Sequence, residues 1–201
     1  MKKRPTSWRN EFALQTAQNF FNVKKGMVIN VKHTNRTKIR EMTLLGVLTS
    51  LALILSYVEA VLPPIFTAVP GIKLGFPNIL IIFILYRMGT LRAAAVSFVR
   101  IILVSWLFGS FLAFAYSVAG AVLSLAVMAI MKKTKLFSTV AVSVAGGVMH
   151  NLGQILVAVA LLKTPQIAYY MIVLSATGIV AGLFIGLCGA LLIKRVDFGK
   201  S

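Results

Sequence analysis

Long apolar runs decide what this chain can fold into. An α-helix needs roughly 20 mostly apolar residues to cross a bilayer, and six stretches approach or exceed that length or end in helix-breaking residues at the right spacing. The first runs from Met42 to Leu62 and stops at Pro63-Pro64. A shorter one follows, Pro77 to Met88, with a proline suited to a first helical turn. The others are Leu91–Phe108, Ser110–Met131, Ser138–Leu162 and Gln166–Ile193. With 59% hydrophobic and 12% charged residues, the chain has too little polar side chain to cover a soluble domain. The expected fold class is therefore all-α: a polytopic membrane protein with six transmembrane helices.

Charge supplies the orientation. The formal net charge is +17, and 10 of the 21 Lys and Arg fall in residues 1–40. With the N-terminus inside, all basic residues except Lys73, Lys163 and Arg100 lie in the tail or in alternate connections on that side. This is the distribution that sets topology and attracts anionic lipid, so both termini are expected to be cytoplasmic and no nucleic-acid role is read from the charge. Three parts result: a basic tail over 1–40, a six-helix domain over 41–196, and a short cytoplasmic end at 197–201. Two readings of the tail stand side by side. Either it is disordered or a surface-lying helix using Phe12, Phe20 and Phe21, or translation starts at Met27. The first apolar run begins too late for a signal peptide. Cys188 is the single cysteine, which excludes an intrachain disulfide.

Small residues recur at every fourth position, as at Gly178, Gly182, Gly186 and Ala190, and at Ala52, Ser56 and Ala60. Such stripes let helix backbones approach where lipid gives no hydrophobic drive. Most are expected to be internal packing, and one is free to dock a partner.

The polar residues inside the apolar runs are the candidates for function. Arg100 lies about nine residues, roughly 13 Å, from either end of its span. A cation at that depth costs about 2.5–3.5 kcal/mol on insertion scales, so it requires a partner, water or a polar cavity. Glu59 is the only carboxylate within the spans, and the two would have to reach toward each other to meet. In the segment HNLGQ, His150, Asn151 and Gln154 share one helix face with Gly147. They offer several donors and acceptors for a ligand or for neighbouring helices. In the segment PGIKLGFPN, prolines and glycines shape an outer loop whose Lys73 can fold over a cavity, with Asn78 opening the next helix.

Catalytic equipment is sparse. Glu11, Glu41, Glu59 and Asp197 are the only acidic residues, and no two of them pair for a magnesium site. Two histidines and one cysteine make no zinc site. No GxxxxGK[ST] loop is present, and no serine has an evident base and orienting acid. The chain is expected to be a non-enzyme without a cofactor.

PGIKLG, the arginine within the third span and HNLGQ together resemble the Gx transporter family, often labelled heptaprenyl diphosphate synthase component I. The resemblance covers Thr43 to Ile193. It implies kinship with the substrate-capturing S subunits of energy-coupling factor importers, six-helix proteins that work with a transmembrane coupling subunit and two cytoplasmic ATPases. It further implies a vitamin-like or anionic cargo, a flavin among the options, bound by Lys73, Asn78, Arg100, His150, Asn151 and Gln154. The coupling subunit would dock on Ala52, Ser56 and Ala60, and the location would be the bacterial cytoplasmic membrane. The alternative is the inherited label, a noncatalytic membrane component of a prenyl diphosphate synthase. A third is a proton-coupled transporter using His150 and Glu59.

Overall fold

The computed structural model describes residues 7–61, 75–108, 111–163 and 169–196. Among them the secondary structure is entirely helical: α1 Ser7–Val61, α2 Asn78–Arg87, α3 Thr90–Phe108, α4 Phe111–Thr134, α5 Thr139–Leu162 and α6 Tyr170–Arg195. The chain divides into two compact units, Met1–Leu44 and Leu45–Lys200. In the first, the tail is helical from Ser7, and Leu14, Phe20, Phe21 and Val23 are all exposed. Nothing in the sequence marks a stop between tail and first span: neither glycine nor proline occurs from Val28 to Leu45, so helix propagates through.

Five helical segments are long and apolar enough to cross a membrane: Lys38–Glu59, Thr90–Leu107, Phe114–Thr134, Thr139–Leu161 and Met171–Arg195. Their outward faces are apolar, with Leu91, Trp106, Ile172, Val180 and Leu191 well exposed. Lipid is the solvent that suits such faces. The protein is an α-helical membrane protein.

The second expected span differs from the rest. α2 starts within a residue of expectation, but its ten residues reach only about 15 Å, half of a hydrocarbon core. It is apolar on all sides, and Leu80 to Leu85 are buried without a break. A helix of that kind belongs in the interior. It packs against α3 and α6, and its side chains belong to one core cluster with Leu48 and Ala52 of α1, Ala93 and Val96 of α3, Met128 of α4 and Val142 of α5. Six complete crossings are thus not a property of the described helices.

The C-terminal ends of α2, α4 and α6 lie together. Arg87 donates through Nη2 to the carbonyls of Ile193, at 2.5 Å, and Val196, at 2.8 Å. Lys132 Nζ donates to the Leu85 carbonyl and sits 5.4 Å from the centroid of the Tyr86 ring. Cations there complement the negative ends of helix dipoles. The same contacts collect Arg87, Lys132, Lys133, Lys194 and Arg195 at one end of the bundle.

α5 lies between α4 and α6, and missing side chains set the spacing. A Cβ on Gly147 would stand 2.5 Å from the Gly178 carbonyl oxygen, and one on Gly182 would stand 2.6 Å from the Val144 Cα. On the other side, a Cβ on Gly153 would stand 2.7 Å from the Ala119 carbonyl oxygen. The glycine stripe of α6 is internal packing, as its periodicity suggests.

Candidate intramembrane binding pocket

The pocket begins where α2 begins. Gly75 takes a left-handed backbone, φ +77°, and its carbonyl accepts the Asn78 N–H at 2.8 Å, closing the turn Gly75-Phe76-Pro77-Asn78. Glycine suits the left-handed backbone, and a Cβ there would stand 3.0 Å from Ile185 Cδ1 and 3.2 Å from Asn78 Nδ2, so both side chains would have to give way slightly. The Gly75 N–H donates to Glu59 Oε1, which ties the turn to α1. Phe76 meets Phe184 of α6 edge-on, ring centroids 6.3 Å apart, and fixes the turn from the other side. Gly75, Asn78, Ile81 and Ile82 then form one wall at helical spacing.

α3 contributes Ser97 and Arg100, α4 contributes Ala121, Ser124, Leu125 and Met128, and the remaining walls come from α5 and α6. Arg100 is poorly satisfied by the described residues. Its Nη1 reaches Ser56 Oγ at 3.5 Å, the limit of a hydrogen bond, and its buried Nε has no partner among them. Ser56 in turn donates to the Ala52 carbonyl at 2.8 Å. Glu59 Oε1 holds the N–H of Gly75, which lines the same pocket as Arg100.

On α5, His150 and Asn151 line the pocket together with Ser143, Gly146 and Gly147. Gln154 does not. Its Nε2 lies 3.2 Å from His150 Nε2, an arrangement in which the amide donates and a neutral ring accepts. Gln154 therefore orients the imidazole from one turn further along. Asn151 Nδ2 donates to the Leu174 carbonyl at 2.5 Å, and Thr177 Oγ1 donates to the same oxygen at 2.9 Å. Part of the HNLGQ cluster thus serves as an interhelical bond between α5 and α6, and part faces the hollow.

The expected site residues therefore divide. Asn78, Arg100, His150 and Asn151 come together on one pocket, and Gln154 stands behind it. Lys73 and the Ala60 side chain lie outside the described residues. Ala52 and Ser56 need a correction as a docking face. Ala52 is fully buried in the core that includes α2, and Ser56 is buried beneath Arg100. A surface already covered by the chain's own helices cannot receive a partner. Sequence reasoning missed Ser97, Ser143 and Thr177. Ser97 is one turn before Arg100 and Ser143 two turns before Asn151, so helical spacing from the ionisable and amide residues reaches both.

The arrangement can hold a polar group: a guanidinium, amides, an imidazole and hydroxyls converge over a floor of Ile81, Ile82, Leu125, Met128 and Ile185. An apolar cavity with a few convergent polar groups is the usual form of a small-molecule site. A family model described as heptaprenyl diphosphate synthase component I matches residues 48–192. No curated protein and no solved structure matches the chain. The matched stretch takes in α2 through most of α6, the whole pocket included, and the chain belongs to the heptaprenyl diphosphate synthase component I family.

Proposed function

We propose that this chain is a noncatalytic, membrane-embedded binding protein whose pocket captures a small molecule with an anionic or strongly polar group. One observation carries the reading. Arg100, at mid-span of α3, lines the pocket, and among the described residues it has only a marginal hydrogen bond and a buried Nε with none. Leaving a guanidinium so placed is costly unless something else completes it. Arg100 would hold the charged or polar group, Asn78, His150 and Asn151 would hydrogen-bond it, and Gln154 would fix the imidazole.

Two assemblies can use such a protein. The family description favours a component I of heptaprenyl diphosphate synthase, a membrane partner that brings the soluble catalytic subunit to its lipid product. The other is a capture subunit of an energy-coupling factor importer working with a coupling subunit and two ATPases, which would also use such a pocket. In either case the protein sits in the cell membrane with both termini cytoplasmic. The basic end shared by α2, α4 and α6 supports that orientation.

Gentle purification tests the proposal on both counts. Mass spectrometry of retained small molecules should find one that is lost in Arg100→Met. Co-purification of a soluble prenyl synthase selects the first assembly, and of membrane coupling and ATPase subunits the second. A preparation that retains no small molecule under any mild condition overturns the binding reading.

A further inference from the structure

Three serines line the pocket, Ser97 from α3, Ser124 from α4 and Ser143 from α5. Elsewhere in the bundle Thr49, Ser50 and Ser56 each donate to the carbonyl four residues back, at 2.7, 3.0 and 2.8 Å. A hydroxyl in an apolar helix commonly satisfies itself that way. The pocket serines do not. They are only 3%, 7% and 5% exposed, and among the described residues their hydroxyls have no hydrogen-bond partner. What they face is the hollow. A missing side chain keeps the space before Ser124 open: a Cβ on Gly146 would stand 3.2 Å from its Oγ and 2.6 Å from Met128 Sδ.

All three lie nearer the basic end than the charged and amide residues do. Helices α3 and α5 start at that end, Ser97 precedes Arg100 by three residues, and Ser143 precedes His150 by seven. Ser124 stands beside Gly146, four residues before His150. The corresponding offsets along the helix axes are roughly 4.5, 10 and 6 Å. The hollow is therefore polar at two levels, guanidinium, imidazole and amide near mid-span and hydroxyls toward the basic end, with Leu125, Met128 and Ile185 among its apolar walls.

Resting on the binding-protein reading above, we infer that Ser97, Ser124 and Ser143 form a second recognition point, for an uncharged hydrogen-bonding group on the molecule whose anionic or strongly polar group Arg100 holds. That molecule is compact and polar at both ends, and it lies along the bundle with its uncharged polar end toward the basic side. A carbonyl, hydroxyl or amide fits the serines, because each hydroxyl can donate and accept. A hydrocarbon end in the same place would face buried hydroxyls that it cannot satisfy, and that is costly.

The test uses the full chain in lipid nanodiscs, with protein-free nanodiscs as the blank, and titration calorimetry of two probes. 6-Hydroxyhexanoate and heptanoate differ only at the end away from the carboxylate, where one has a hydroxyl and the other a methyl. The ratio of their affinities should favour 6-hydroxyhexanoate at least fivefold more in the parent than in a variant combining Ser97→Ala, Ser124→Ala and Ser143→Ala, the size expected of one hydrogen bond. Heptanoate should bind that variant as well as it binds the parent, or better. Without probe the variant should unfold at the parent's temperature or above it, because no bond is lost. Arg100→Met should weaken both probes alike. An affinity ratio that the triple variant leaves unchanged overturns the inference. So does a triple variant that unfolds below the parent without probe, which would make the hydroxyls structural. Retention by the gently purified parent of a molecule with a hydrocarbon end, such as a prenyl chain, defeats this inference alone. A protein that retains nothing and binds neither probe defeats the capture reading with it.

Discussion

Gly147→Ala probes the α5–α6 seam that carries Asn151. The added Cβ would stand 2.5 Å from the Gly178 carbonyl oxygen, where ordinary contact begins near 3.4 Å, so the backbones must part by about 0.9 Å. No rotamer can relieve the contact, because the obstacle is main chain. Overpacking of this kind costs ~1–3 kcal/mol. One turn along, Asn151 Nδ2 stands 2.5 Å from the Leu174 carbonyl oxygen, and the same separation would carry it toward the limit of hydrogen bonding. Losing that bond adds ~0.5–1.5 kcal/mol. The expected total is ~1.5–4.5 kcal/mol, read as a drop in unfolding free energy in mixed micelles with tryptophan fluorescence as the signal. Retention of the native small molecule should fall with it, since Asn151 lines the pocket. Gly46→Ala is the control. Nothing lies within 4 Å of its would-be Cβ, so alanine should be neutral or stabilise the helix by up to ~1 kcal/mol. Should Gly147→Ala match the control in stability and still hold ligand, the close seam is not what positions Asn151.

Three other substitutions separate the remaining claims. Arg100→Met and Asn151→Leu should lower binding of the native ligand by at least tenfold while the helical circular dichroism and monodispersity of the protein persist. Normal retention in either variant removes that residue from the site. Ala52→Leu should destabilise by ~1–3 kcal/mol in the isolated protein, because Ala52 is fully buried in the core cluster. A docking face would show unchanged stability and lost co-purification instead. Ser138→Ala should cost ~1 kcal/mol, since its hydroxyl accepts the Ala141 N–H at 3.2 Å and caps α5. Thermal unfolding with and without Ser138→Thr, which keeps the cap, distinguishes this from a packing effect.

Sequence length and hydropathy made the five long spans legible, because crossing a membrane demands both at once. α2 was legible in its start but not in its role. An all-apolar segment of ten residues looks the same whether lipid or protein surrounds it, and only Leu80 to Leu85 buried in unbroken sequence decides for protein. The site was legible where residues are expensive. Arg100, His150 and Asn151 stand out against an apolar background, and the structure places all three on one hollow. Ser97, Ser143 and Thr177 were not legible as site residues. A helical serine or threonine can bond its own preceding turn, as Thr177 does to Leu174 at 2.9 Å, so its presence in a span signals little. Gln154 was legible as polar but not as a supporting residue: four residues along a helix preserve the face while shifting about 6 Å along the axis. Ala52 and Ser56 show the limit of small-residue stripes, which describe close approach without saying whose helix approaches.

The shortness of α2 and the existence of the pocket are one fact seen from two ends. Helix α2 is ten residues long, so its N-terminal turn ends near mid-membrane if its C-terminal end is anchored at a surface. Arg87 and Lys132 supply that anchor, through the carbonyls of Ile193 and Val196 and of Leu85. Leu80, Phe83, Ile84 and Leu85 then fill the bundle near the basic end, whereas Asn78, Ile81 and Ile82 are left to line a hollow. At Asn78 the helix gives way to the turn at Gly75, left-handed and tied to Glu59, and the hollow lined by Arg100 opens beside it.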